Sequence, residues 1–271
     1  MTKPSLEASA QINSPSYLLP IEDTRFLLRD EMRAVRFALE YAKADLLLRD
    51  WGVRSTIIVF GSARVPSPER VESWKQAATA PGEKELQRME RQLRWYQTAR
   101  EFGRIASERG GAKTIKDGWR DNVIATGGGP GIMEAANRGA HEAGAPTIGF
   151  NIRLPHEQLP NRYTTPELTF RFHYFAMRKM HLVMRANALV IFPGGFGTMD
   201  ELFELLTLRQ TGKAHAMPIV MFDRSYWQRL LNFDVLLEES LISPDDMELI
   251  CYADSAEEIW QLLVERGLRI P

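Results

Sequence analysis

The sequence predicts a doubly wound, Rossmann-like α/β fold whose parallel sheet is preceded by a helical extension. Three observations predict it. Short apolar, β-branched-rich runs alternate with helical segments along most of the chain, as a parallel sheet covered on both faces requires. Three of those runs end in glycine-bearing turns, "FGSAR" (60–64), "TGGGPGIM" (126–133) and "PGGFGT" (193–198). Before the first run, residues 23–52 are strong helix formers with frequent charges, closed by Gly52.

Taken in order, residues 1–22, with prolines and serines, read as a flexible N-terminal arm, and residues 23–52 as a helical extension of one or two helices. "STIIVF" (55–60) is brief and bounded by glycine, so it reads as a buried strand. It opens a Rossmann-like domain over 53–271, with a helical insertion at about 66–95. Within and beyond that insertion a long helix is expected from about Glu83 to Gly110, with Leu86, Met89, Leu93 and Tyr96 on one stripe. Further strands are expected at "NVIAT" (122–126), "TIGFNI" (147–152), "ALVIF" (188–192), "PIVMF" (218–222) and "LICYA" (249–253). Between them "FHYFAMRKMHLVMRANA" (172–188) reads as a helix. Its face of Phe172, Phe175, Ala176, Met180 and Val183 is expected to be core, with Tyr174, Arg178, His181 and Arg185 opposite, toward water, a cleft or another subunit.

Composition narrows the function. The chain has 271 residues, 44% of them hydrophobic, and a net charge of −1, so no overall positive field draws nucleic acid or an anionic membrane. Cys251 is the one cysteine, which excludes an intramolecular disulfide and a cysteine-based zinc cluster. With no secretory-type apolar segment at the start and no run long enough to span a membrane, a cytoplasmic location is expected. The five histidines show no ligand spacing, and neither a metal nor a cofactor is expected.

The glycine turns suggest a small anionic ligand. Glycines let backbone N–H groups approach an anion closely, and the helix start that follows adds partial positive charge. Each loop taken alone is as well explained by a tight strand-to-helix turn; three in one sheet favour a ligand. "GSARVP" is not a dinucleotide fingerprint, and no loop carries the Gly-Lys-Ser/Thr of a triphosphate P-loop, so a monophosphate fits best. Thr198 to Glu201 is also a capping-box sequence, in which Thr198 caps a helix and Glu201 reaches back to the cap. That structural role competes with a ligand-facing one for the same glutamate.

The combination of "GGGPGIMEAANRGA", "AMRKM" and "PGGFGTMDE" resembles the LOG (LONELY GUY) family, whose members are often labelled "lysine decarboxylase". The likeness covers about residues 55–233. It implies a nucleoside 5′-monophosphate phosphoribohydrolase, releasing free base and ribose 5-phosphate, that assembles as a homo-oligomer, a dimer or larger. By the resemblance, Arg178 and Glu201 match the catalytic pair, and Lys179, Gly194, Gly195, Gly197 and Thr198 match nucleotide-binding positions. Glu157 in "LPHEQLPN" corresponds to a binding glutamate. Gly61 and Ser62, and Gly127, Gly128, Gly129, Gly131 and Glu134 of the second loop, complete the expected substrate site. The N-terminal extension and the 66–95 insertion are longer than in compact members.

AMP is the first expected substrate, with isopentenyl-adenine type nucleotides next. Two other readings stand beside this one. A pyridoxal-phosphate decarboxylase would need a Schiff-base lysine, and only Lys179 lies near the motifs. A non-catalytic nucleotide-binding or carrier protein would use the same fold and loops.

Overall fold

The computed structural model describes residues 6–76, 82–154 and 159–271. The chain divides into two compact units, Met1–Ala44 and Asp45–Pro271. In the first, α1 (Leu6–Ile12) is followed by a 3₁₀ turn at Pro15–Tyr17, α2 (Thr24–Leu27), a second 3₁₀ turn at Asp30–Met32 and most of α3 (Arg33–Asp50). The Asp23 carboxylate accepts from Phe26 N–H at 2.9 Å and caps α2. Arg36 donates to the Leu27 and Arg29 carbonyls at 2.7 and 2.6 Å, tying α3 to the chain before it.

The second unit runs β1 (Thr56–Phe60), α4 (Pro68–Gln76), α5 (Glu83–Arg109), β2 (Val123–Thr126), α6 (Ile132–Glu142), β3 (Thr147–Ile152) and β4 (Thr169–Phe172). It continues through α7 (Phe175–Met184), β5 (Ala186–Ile191), α8 (Phe196–Gln210), β6 (Ile219–Phe222), α9 (Arg224–Leu230), α10 (Asp234–Glu238) and α11 (Pro244–Met247) to β7 (Ile250–Ala253) and α12 (Ala256–Glu265). The seven strands form one parallel sheet in the order β4-β3-β2-β1-β5-β6-β7. The chain builds outward from β1 to β4, then returns to lay β5 on the other side of β1. That reversal is the topological switch point, where doubly wound folds place their ligands.

The central strands read as continuous apolar runs because helices cover both faces. On one face Ile57 and Val59 of β1, Ile124, Val190 and Val220 pack with Tyr96, Phe102 and Ile105 of α5, Ile132 and Ala136 of α6, and Ile259 and Leu263 of α12. Met89 and Tyr96 of the expected α5 stripe are buried there.

Two expectations are corrected. β4 was not anticipated, and Phe172, expected in a helix, belongs to it. β4 is a four-residue edge strand whose Phe170 and Phe172 alternate onto Phe150 of β3, with ring centroids at 5.5 and 6.0 Å. Four residues carry too little alternation to separate from the helical pattern that follows. The faces of α7 are also inverted. Phe175 is 51% exposed, and Met180 and Met184 are exposed as well, whereas His181 and Leu182 are buried. His181 lies against the rings of Phe150 and Phe172, at 6.4 and 5.5 Å, and Arg178 turns inward to a carboxylate. Side-chain partners decided the orientation, not the wheel.

Candidate functional site

β1 and β5 end side by side, at Phe60 and Ile191, so the first and third glycine turns emerge together. Ser62 joins all three turns. Its N–H donates to the Pro193 carbonyl at 3.0 Å, and its carbonyl accepts from Ile132 N–H, the first helical residue of α6, at 3.1 Å. Its hydroxyl accepts from Arg64 N–H at 3.1 Å. Gly131, before α6, has φ +72°, and a Cβ there would stand 2.3 Å from the Ser62 carbonyl oxygen, so only glycine permits this junction.

The third turn leads directly into α8. Gly195 is the N-cap and Phe196 the first helical residue, so Thr198 already lies inside the first turn. The helix therefore starts before Thr198, and the capping box from Thr198 to Glu201 does not form. Thr198 instead fills the space beside Gly194, where a Cβ would fall 2.0 Å from its hydroxyl oxygen. Freed from a capping role, Glu201 faces α7. Arg178 Nη2 donates to Glu201 Oε1 at 3.2 Å, with the two side chains 12% and 2% exposed. Burial pushes the Glu201 carboxyl up to about 7, against the opposing pull of Arg178 and then Lys179. Burial also lowers Arg178, an effect that Glu201 opposes.

Beside Arg178 of this pair lies a cavity of about 770 Å³. Gly61, Ser62, Arg178, Gly194, Gly195, Gly197 and Thr198 of the expected site line it. Phe60, Met133, Met199, Phe203, Leu230 and Leu231 add apolar walls. Glu201 lies behind Arg178, one hydrogen bond from the cavity wall. Gly127 backs onto the same arginine, for a Cβ there would stand 3.4 Å from Arg178 Nη1.

Other expected residues lie elsewhere. The carbonyls of Gly128 and Gly129 are taken by protein donors: Asn161 N–H and Asn151 Nδ2 at 2.9 and 3.2 Å for the first, Asn161 Nδ2 at 3.1 Å for the second. Glu134 accepts from the Tyr96 hydroxyl at 2.9 Å and lines a separate hollow with Asn161, Arg162 and Tyr163. Lys179 is held by Asp200 and Glu204, each at 2.8 Å, facing a different groove along α8. Burial works to lower its pKa, but these hydrogen bonds prevail and hold it above the ordinary lysine value. Glu157 lies outside the described residues.

Sequence reasoning missed the residues that hold the turns. Tyr226 on α9 lines the cavity and donates to the Gly194 carbonyl at 2.7 Å. Asp223, with φ +70°, caps α9 and accepts from Trp95 Nε1 of α5 at 2.7 Å. Asn137 on α6 is fully buried, accepting from Thr126 Oγ1 and Asn161 Nδ2 and donating to Thr147 Oγ1 and the Ile148 carbonyl. Asn137 sits within the quoted second motif, and a lone asparagine in a run of small helix residues was the available signal.

Fold and site together define a Rossmann-like α/β protein with a glycine-walled cavity and a buried arginine–carboxylate pair at its switch point. A family model described as "Possible lysine decarboxylase" matches residues 133–263. The cytokinin riboside 5′-monophosphate phosphoribohydrolase LOG3 of Arabidopsis thaliana is 32% identical over 149 residues, covering 53% of this chain and 67% of that protein. LOG4 of the same plant, described by the same activity, is 28% identical over 183 residues, covering 60% and 83%. The chain belongs to this LOG family. Among solved structures, that of TM1055, a structural genomics target, aligns with TM-score 0.47 at 20% identity, over 78% of this chain and 99% of that one. No helix among the described residues is long and apolar enough to cross a membrane.

Proposed function

We propose that the protein hydrolyses the N-glycosidic bond of a purine nucleoside 5′-monophosphate, AMP or a cytokinin riboside 5′-monophosphate, giving free base and ribose 5-phosphate. The observation that carries this reading is the buried Arg178–Glu201 pair beside glycine turns at the switch point. The named activity of the relatives supports it.

In this reaction the bond from C1′ to the base nitrogen breaks, water oxygen bonds to C1′, and positive charge develops on the ribose in between. A carboxylate in a water-poor site stabilises that charge strongly. Glu201 supplies it and takes a proton from the attacking water, the departing base is protonated from solvent, and Glu201 then returns its proton to solvent. Arg178 spends Nη2 on Glu201 and keeps other donors for ribose and phosphate oxygens. Lys179 locks α7 to α8 through Asp200 and Glu204 and so fixes the pair from behind. The protein works as a homo-oligomer in the cytoplasm.

The family model's printed description suggests lysine decarboxylation, which needs pyridoxal phosphate on a lysine with a neutral amine. The residues do not fit that group. Among the described residues no lysine lines the cavity, and Lys179 is kept protonated between two carboxylates.

Purified protein incubated with AMP, GMP, CMP and isopentenyl-adenosine monophosphate should release base and ribose 5-phosphate from the purine nucleotides. Glu201→Gln should abolish release while AMP still binds. Binding without release in the wild-type protein would instead indicate a nucleotide carrier.

A further inference from the structure

Resting on the reading above, we infer that Arg64 is the residue that makes the site specific for a 5′-phosphate. Among the described residues, Arg64 and Arg178 are the two cations that line the cavity. Arg178 is buried and bonded to Glu201, which offsets its charge whenever that carboxyl is ionised. Among the described residues no aspartate or glutamate lines the cavity. Among the described residues the exposed Arg64 guanidinium has no ion-pair partner, unlike Arg100, Arg138 and Arg185 of the same unit.

A phosphate monoester carries nearly two negative charges near pH 7. Glycine N–H groups and a helix start contribute partial charges, and a full counter-charge must come from a side chain. Arg64 occupies the position to provide it. It follows Ser62, whose backbone is bonded to the third turn at Pro193 and to the start of α6 at Ile132. Its own N–H is fixed to the Ser62 hydroxyl. Through Ser62, the main chain two residues before Arg64 is held against both other glycine turns, while the Arg64 side chain has no ion-pair partner among the described residues. A planar guanidinium can take two phosphate oxygens at once, which a lysine cannot.

The test is the ratio of kcat/KM for AMP to that for adenosine in the wild-type protein, Arg64→Gln and Arg64→Lys, with ribose 5-phosphate binding measured by calorimetry on all three. The expected result is a loss of AMP preference of about tenfold to a hundredfold in R64Q, the size of a charge-assisted contact, with an intermediate value in R64K. Ribose 5-phosphate affinity should fall in parallel. An unchanged ratio with unchanged ribose 5-phosphate affinity overturns the assignment. So does an equal loss on AMP and adenosine, because it marks a structural role. If the wild-type protein turns over neither substrate, the proposed hydrolysis fails, and the ribose 5-phosphate affinities alone decide the role of Arg64.

Discussion

The Tyr226 hydroxyl donates to the Gly194 carbonyl at 2.7 Å, which satisfies that carbonyl and ties the third glycine turn to α9. Tyr226 is itself braced, because Asp223 accepts from its N–H at 3.1 Å and from Trp95 at 2.7 Å, and the Trp95 and Tyr226 rings meet edge-on at 5.5 Å. The long helix α5 thereby supports the third glycine turn from outside the cavity. Tyr226→Phe should raise KM for the nucleotide about fivefold, the worth of one hydrogen bond, with kcat near wild type. A fall in kcat at constant KM would show that this bond does not set the turn.

Activity should depend on Glu201 being ionised. Because burial holds its carboxyl at about 7, kcat should climb as pH rises through that value and level off above it. Steady-state rates from pH 5 to 9 test this, and a rate already maximal at pH 5 would remove Glu201 as the base.

The same group makes stability depend on pH, in the opposite sense. Its folded pKa lies above the ordinary carboxylate value, so the folded state holds the proton more tightly than the unfolded chain does. The stabilisation is complete below the unfolded pKa and is lost as pH rises through about 7. Compared by urea unfolding at pH 5 and pH 8, wild type should lose stability relative to Glu201→Gln, on the order of 3 kcal/mol. Equal pH slopes for the two proteins would refute the buried-carboxylate account.

Asn137 should be among the costliest polar residues to remove. Asn137→Ala removes the acceptor of the buried Thr126 hydroxyl, a donor to the Thr147 hydroxyl and to the Ile148 carbonyl, and the acceptor that holds Asn161, which in turn holds the Gly129 carbonyl. Buried groups left unpaired cost about 1–3 kcal/mol each, so a loss of about 3 kcal/mol is expected on unfolding, together with weaker nucleotide binding. A loss within experimental error would mean that water replaces the amide.

The sheet was largely legible in the sequence because buried parallel strands must be continuous apolar runs, and "STIIVF", "NVIAT", "TIGFNI", "ALVIF", "PIVMF" and "LICYA" all became strands. Chemistry-bearing motifs were legible for a related reason. Only glycine permits the close approach of Gly131 to Ser62, and only glycine leaves Thr198 room beside Gly194, so these positions are written in the residue type.

What the sequence could not determine was which partner each side chain would meet. α7 has an apolar stripe and a basic one, and periodicity alone assigns the apolar stripe to the core. Pairing with Glu201, 23 residues away, and packing of His181 on Phe150 and Phe172 reversed that assignment. Likewise, the Thr198–Glu201 spacing fits both a capping box and a free carboxylate. Where α8 begins settled the choice, because with Gly195 as the cap Thr198 is already helical. Local spacing fixes what a segment is able to do. Contacts between distant segments, formed only when the chain closes on itself, fix which of those options is used.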